Sequence, residues 1–216
     1  MAHRTKQDKS SSPDPDWRAQ IVEFHDRLVR ERGEGWGAFW GSAASQRGRY
    51  DLFFEELPLA ASDVLEVGCG FGDFLHIAHD KQAIPHRYLG IDLSPQIIAA
   101  AQRLHPDASF AVLDILSSDP PFAPDFVIAS GIMAVDLPDY EAYVLSVLRR
   151  FHAIARRGFA LNFLSTRSER PDERSRYVEP GWLLTLFQRH VDWRCRLLHD
   201  YRANDFTLIH QKPEQP

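Results

Sequence analysis

Two rhythms of hydrophobic and polar positions alternate along the chain. Short apolar runs at Val64-Leu65 with Val67, Tyr88-Leu89 with Ile91, Phe126-Val127-Ile128-Ala129 and Phe159-Ala160-Leu161 read as strands covered on both faces, the pattern of a sheet buried between helices. Between these runs the spacing changes to three and four. Trp17, Ile21, Phe24 and Leu28 predict an amphipathic helix over about 16–31, ending near Gly33. Ile97, Ile98, Ala101 and Leu104 predict another, capped by Ser94 with Pro95 at its first position, and Tyr143, Val147, Phe151 and Ile154 a long one over about 138–157. Similar spacing buries Tyr50, Phe53, Phe54 and Leu57 ahead of the first strand, and Leu183, Leu184 and Phe187 near the end. Strict alternation then takes over. Val191, Trp193, Cys195, Leu197, His199 and Tyr201 share one predicted strand face, and Phe206–His210 returns after a turn at 202–205. Strands alternating with helices predict an α/β, doubly wound sheet, and the last two segments an antiparallel hairpin at its edge.

The first strand runs into the most informative stretch, Asp63–Leu75. Gly68, Gly70 and Gly72 allow a sharp turn and close backbone approach to a ligand, and the helix beyond would point its first amides at that ligand. The third glycine comes one residue earlier than in the dinucleotide fingerprint G-x-G-x-x-G. Glu66, two residues before the first glycine, would repel a pyrophosphate and favour a cationic or amine-bearing ligand. A second strand ends in Asp92, 20 residues beyond Gly72, where a carboxylate can accept both hydroxyls of a ribose. A third ends in Asp114-Ile115, and Ser130-Gly131 follows the fourth at the carboxyl edge of the sheet, where open α/β sheets gather their active groups.

The residues E-V-G-C-G-F-G-D from Glu66 to Asp73 resemble motif I of the class I S-adenosylmethionine-dependent methyltransferases, whose cofactor carries a sulfonium and an amino acid group. The resemblance implies a Rossmann-like, doubly wound seven-stranded sheet, mostly parallel with a C-terminal antiparallel hairpin, preceded by N-terminal helices. It also implies methyl transfer, to an oxygen or less readily a nitrogen of a small polar metabolite or glycan-type molecule. Glu66 would stabilise the methionine end, with Gly68, Cys69, Gly70 and Gly72 forming the turn. Asp92 with Leu93 would hold the ribose, Asp114 with Ile115 the adenine, and Ser130 with Gly131 the methyl-side wall. Trp40-Gly41-Ser42, Gln46 and Arg49-Tyr50 resemble a W-G-S…Q…R-F segment of a bacterial small-molecule branch. In that reading Trp40 and Arg49 touch the methionine end or the substrate. Plain packing of the tryptophan, and pairing of Arg49 with a surface acid, account for the same residues.

An alcohol acceptor would require a general base, and position nominates His199, Asp136 and Tyr177. Tyr177 belongs to a Tyr-x-Glu-Pro element, and His199-Asp200-Tyr201 with Asp205 resembles an ending of the same branch in which glutamate is usual at the last position. The asparagine or aspartate followed by two prolines and an aromatic, typical of many amino-group methyltransferases acting on nucleic acid, is absent after the fourth strand. His76 and His79 share a helical spacing, but no further ligand pattern accompanies them, so no metal is expected.

Size and charge narrow the range of functions. At 216 residues and 44% hydrophobic content the chain accommodates one core and an appendage, divided as a disordered tail over 1–15, a helical lid over 16–60 and a cofactor-binding domain over 61–212. A net charge of −5 gives no overall basic field for nucleic acid, so a small-molecule substrate is expected. Cys69 and Cys195 form no disulfide framework, and no run approaches the roughly 18 apolar residues of a membrane span, so a cytoplasmic protein is expected. Two other functions share part of this pattern: a nicotinamide-dependent oxidoreductase, disfavoured by Glu66 and the early glycine, and a non-catalytic subunit that binds S-adenosylmethionine without turnover.

Overall fold

The computed structural model describes residues 17–33 and 42–213. The expected tail over 1–15 and the connector holding Trp40 lie outside the described residues. Two helices come first, α1 (Trp17–Arg32) and α2 (Ala43–Glu56). Gly33, with φ of +81° and its amide donating to the Val29 carbonyl, ends α1 where the glycine signal placed the stop. Ser42 caps α2 by accepting from the Ser45 amide at 3.1 Å.

Alternating strands and helices follow: β1 (Asp63–Val67), α3 (Asp73–Asp80), β2 (Arg87–Asp92), α4 (Pro95–Leu104), β3 (Phe110–Val112), β4 (Phe126–Ala129), α5 (Tyr140–Ile154), β5 (Gly158–Leu164), α6 (Pro180–His190), β6 (Arg196–Leu198) and β7 (Asp205–Gln211). They build a seven-stranded sheet in the order β3-β2-β1-β4-β5-β7-β6. The first five strands are mutually parallel, and β7 pairs antiparallel with β5 on one side and β6 on the other. This is the expected doubly wound sheet with its antiparallel edge.

The strand order reverses between β1 and β4, which run side by side while β2 and β3 lie to one side and β5 to the other. Such a switch point leaves a crevice outside the carboxyl ends of the strands. Val64, Leu65, Val127, Ile128, Ala129 and Leu161 are fully buried, because helices cover both faces. One sequence expectation gives way at the edge. Alternation predicted one long strand with Val191, Trp193, Cys195, Leu197, His199 and Tyr201 on a shared face, whereas β6 spans only three residues and Trp193, before it, is 73% exposed. The Asp192 carboxylate accepts from the Arg194 amide and guanidinium, which turns the chain before pairing with β7 begins.

Candidate active site

A cavity of about 680 Å³ opens at the switch point, floored by the ends of β1, β2, β4 and β5 and covered by Trp17, Ile21, Phe24, His25 and Leu28 of α1. The floor starts at the glycine turn. Amides of Gly68 and Cys69 both donate to the Ile91 carbonyl, at 2.8 and 3.0 Å, which pins the turn to β2. Gly68 has φ of +69°, and a Cβ placed there would sit 2.2 Å from Ile132 Cγ2. Gly68, Cys69 and Gly70 line the cavity as expected, but Gly72 does not. Its Cβ would meet His105 and Phe110 at 2.8 and 2.9 Å, so the third glycine lets α3 pack closely against the rings behind it rather than letting a ligand approach.

Of the three strand-end acids, Asp92 and Asp114 face the cavity. Asp92 accepts from the amides of Ser94 at 3.0 Å and Gly70 at 3.3 Å, and each oxygen retains a lone pair. Burial pushes its pKa above the ordinary value, opposed by the neighbouring His25 and by these amides. Asp114 is held by Arg18 Nε at 2.5 Å, Ser117 Oγ at 2.7 Å and the Leu116 amide at 2.9 Å. The Arg18 contact and a Ser94 Oγ hydrogen bond to Asp26 at 2.7 Å clamp α1 over the cavity from two points.

Glu66 departs from the expectation of direct contact at the methionine end. It is wholly buried behind the turn and does not line the cavity; Tyr50 and Tyr88 donate their hydroxyls to its two oxygens at 2.7 and 2.5 Å. The reason is strand pleat: β1 alternates its side chains, and Glu66 points to the face covered by α2 and α3. Burial, reinforced by Asp73 and Asp92, raises its pKa from 4.5 to about 8 against the pull of the two tyrosines. In the unfolded chain this carboxyl ionises near 4.5, so between that pH and about 8 folding takes up a proton and stability falls as pH rises. Glu66→Gln, which mimics the neutral form, should remove a slope of up to about 1.4 kcal/mol per pH unit in the ligand-free protein. Urea unfolding of both proteins at pH 5 and pH 8 tests this; an unchanged stability difference would mean the acid is ionised in the fold.

The remaining candidates divide. Ile115, Leu93, Ser130 and Gly131 all line the cavity. Tyr140 and Tyr143 hold the loop after β4 by donating to the carbonyls of Met133 and Ile132. The Ser130 hydroxyl is buried in the cavity wall with no hydrogen-bond partner among the described residues. Arg49 lines the cavity and pairs through Nη2 with Asp205 Oδ1 at 2.5 Å, both side chains being buried. Neither of the two sequence readings of Arg49 foresaw a buried acid from the far end of the chain.

Tyr177 reaches the cavity, where its hydroxyl oxygen accepts from the Asp172 amide at 2.8 Å. The other two base candidates do not. Asp136 is exposed and paired with Arg176 at 3.1 Å, because the chain past Gly131 turns outward to start α5. His199 lies at the hairpin turn, its Nε2 bonded to the Ala203 carbonyl at 3.2 Å and its ring against Phe206, outside the cavity. The pairing of β6 with β7 fixes it there. His25, Asn162 and Asn204, which sequence reading missed, also line the cavity, as do Gln46 and Asp73, which stood in the resembling motifs without an assigned role. Gln46 donates to Asp73 at 2.6 Å, and Asn162 donates to Tyr201 and to the Phe206 carbonyl. A polar residue inside an otherwise apolar strand run, as Asn162 is, was the available signal.

A glycine-turn cradle, a ribose-ready carboxylate on the next strand and a covering helix define a Rossmann-like site for a nucleoside cofactor. Residues 64–154 match the family model described as a methyltransferase domain. The Mycobacterium tuberculosis protein Rv1506c, whose name assigns it to the methyltransferases, is 32% identical over 154 residues, covering 68% of this chain and 91% of its own. The chain belongs to the S-adenosylmethionine-dependent methyltransferases. Among solved structures, magnesium protoporphyrin IX methyltransferase from Synechocystis PCC 6803 with bound SAH superposes with a TM-score of 0.62 at 14% identity, covering 89% of this chain and 99% of the other. The DhpI-SAM-HEP complex gives 0.65 at 16% identity, covering 94% and 100%. No helix among the described residues is long and apolar enough to cross a membrane.

The residues present fit the family's cofactor, S-adenosylmethionine. Gly68, Cys69 and Gly70 offer a cradle with no side chain at either glycine to obstruct it, and Asp92 offers lone pairs to a ribose. Asp73 and Asp92, both in the cavity lining, would favour a cationic group beside them.

Proposed function

We propose that the chain transfers a methyl group from S-adenosylmethionine to an oxygen of a small polar metabolite in the cytoplasm, with residues 16–60 acting as a helical lid over a cofactor-binding domain at 61–212. One observation carries the choice of acceptor: beyond the residues assigned to the cofactor, the cavity continues between Asn162, Asp172, Arg174, Tyr177 and Asn204, with Phe163 and Leu164 as its apolar wall. A pocket of this size and mixed lining suits a compact polar molecule. The sequence Ser130-Gly131-Ile132-Met133 at the methyl-side loop, in place of the amino-group motif, supports oxygen over a nucleic-acid amine.

S-adenosylmethionine supplies a methyl group on a sulfonium, a leaving group that requires neither an acid nor a metal. The protein's contribution is alignment and exclusion of water, and orientation of this kind is worth roughly 7–11 kcal/mol of barrier in well-oriented systems. Asp92 holds the nucleoside end, and α1, clamped through Arg18 and Asp26, closes the site to solvent. Tyr177 accepts the Asp172 amide on its oxygen and orients the acceptor by a hydrogen bond, and the proton that an alcohol acceptor must lose as it gains the methyl group would pass to the Asp172 carboxylate in the same cavity wall. The buried Ser130 hydroxyl is the second group available to the incoming molecule.

Incubating the protein with methyl-labelled cofactor and a metabolite extract, followed by mass spectrometry, tests the proposal. A labelled small molecule should accumulate, and Tyr177→Phe should raise KM for it several-fold with little change for the cofactor. Label found only in nucleic acid or protein, or cofactor bound without any turnover, would overturn it.

A further inference from the structure

We propose that His152, Asp192 and His210 form a binding site for a divalent transition-metal ion such as Zn(II), at the end of the sheet opposite the cavity. His152 lies in the last turn of α5, Asp192 just beyond α6 and His210 near the end of β7. One ligand atom from each lies within 4.8 Å of the other two. His210 pairs with Phe159 at the start of β5, whereas the cavity uses Asn162, Phe163 and Leu164 at its end; none of the three lines the cavity.

The orientation of His210 is the main argument. Its Nδ1 lies 2.6 Å from the Arg194 carbonyl, which can only accept, so Nδ1 carries the ring proton and Nε2 keeps a lone pair. A backbone carbonyl on the distal nitrogen is the support that metal-ligating histidines commonly have. His152 Nδ1 stands 3.1 Å from that Nε2, so two ring nitrogens converge on a single proton. Nitrogens bound to one tetrahedral zinc at about 2.0–2.1 Å are themselves separated by about 3.3 Å, close to the spacing already present. The rings of Phe159 and Phe187, each 5.4 Å from that of His210, hold it in place, and His210 is fully buried. An ion would therefore meet one lone pair already oriented. His152 presents its own once the proton on Nδ1 is exchanged for one on Nε2, which leaves the ring neutral. His152 and Asp192 are part-exposed and give the ion a way in.

Asp192 supplies the third ligand by turning one oxygen from Arg194, which holds Oδ2 at 3.0 Å and Oδ1 at 3.1 Å. Two imidazoles and a carboxylate suit Zn(II), Co(II) or Ni(II), with water completing the shell. Arg194 and nearby Lys212 oppose a cation, so micromolar affinity is expected rather than the tighter binding of an all-anionic site. Such an ion would staple the end of α5 and the segment after α6 to β7.

Chelator-treated full-length protein titrated with Co(II) and Zn(II) tests the site by visible absorbance and thermal unfolding. Wild type should acquire Co(II) ligand-field bands and a higher unfolding temperature. His152→Ala and Asp192→Asn should each lose at least about tenfold in affinity, while S-adenosylmethionine binding by calorimetry stays unchanged. His76→Ala, at a ring pair 4.7 Å from His105 elsewhere in the fold, should bind as wild type does. The proposal is overturned if wild type shows neither response at millimolar metal, or if a folded His152→Ala binds as tightly as wild type.

Discussion

Asp92→Ala should weaken S-adenosylmethionine binding on the order of 100-fold, measured by calorimetry, and leave the fold intact. The carboxylate faces the cavity from the end of β2 with lone pairs to spare after accepting from Gly70 and Ser94. Two hydroxyl-to-carboxylate hydrogen bonds at about 1.5 kcal/mol each account for that loss. The structural cost should be small, because burial already disfavours the charge at this position and α4 keeps its cap, the Ser94 hydroxyl accepting from the Ile97 amide. Asp92→Asn, which retains one accepting oxygen, should fall between. Unchanged affinity in the alanine variant would remove Asp92 from the site and with it the ribose assignment.

The second large effect concerns stability. Arg49→Met leaves Asp205 fully buried and without its charge partner, while Asp205→Ala deprives the buried guanidinium of its carboxylate. Breaking such a pair costs about 3–5 kcal/mol. For a chain of this length that lowers the unfolding temperature by roughly 6–20 °C. Joint replacement, Arg49→Met with Asp205→Leu, should recover much of the loss, because no isolated charge then remains inside. The double variant should nevertheless bind cofactor or acceptor less well, as Arg49 forms part of the cavity wall. Additive losses in the double variant would show that the two side chains do not act as a pair. The aspartate at 205 now has a physical role: it is shorter than the glutamate usual in the branch that the ending resembles, and it reaches Arg49 directly.

Local signals carried the elements that build the floor of the site. Gly33, Ser94 and Pro95 mark helix ends through backbone chemistry that acts within one turn, so each stood where it was expected. The continuous apolar runs told of a sheet covered on both faces, and the glycine turn with Asp92 told of a nucleoside ligand. Prediction failed where the deciding contact crossed the fold. Pleat direction turned Glu66 toward Tyr50 and Tyr88, and helix packing claimed Gly72. The β6–β7 pairing carried His199 away from the cavity, and the outward path of the loop before α5 carried Asp136 to the surface.

From the residues alone, then, came the strand and helix order, the cofactor class and two of the three acids at strand ends, since each depends on neighbours a few positions apart. The tertiary structure decided which polar groups share the cavity, joined Arg49 to Asp205, and set His152 beside His210 across 58 residues of chain. Such pairings follow from sheet order and helix packing, which bring distant segments together without leaving a spacing in the sequence to read.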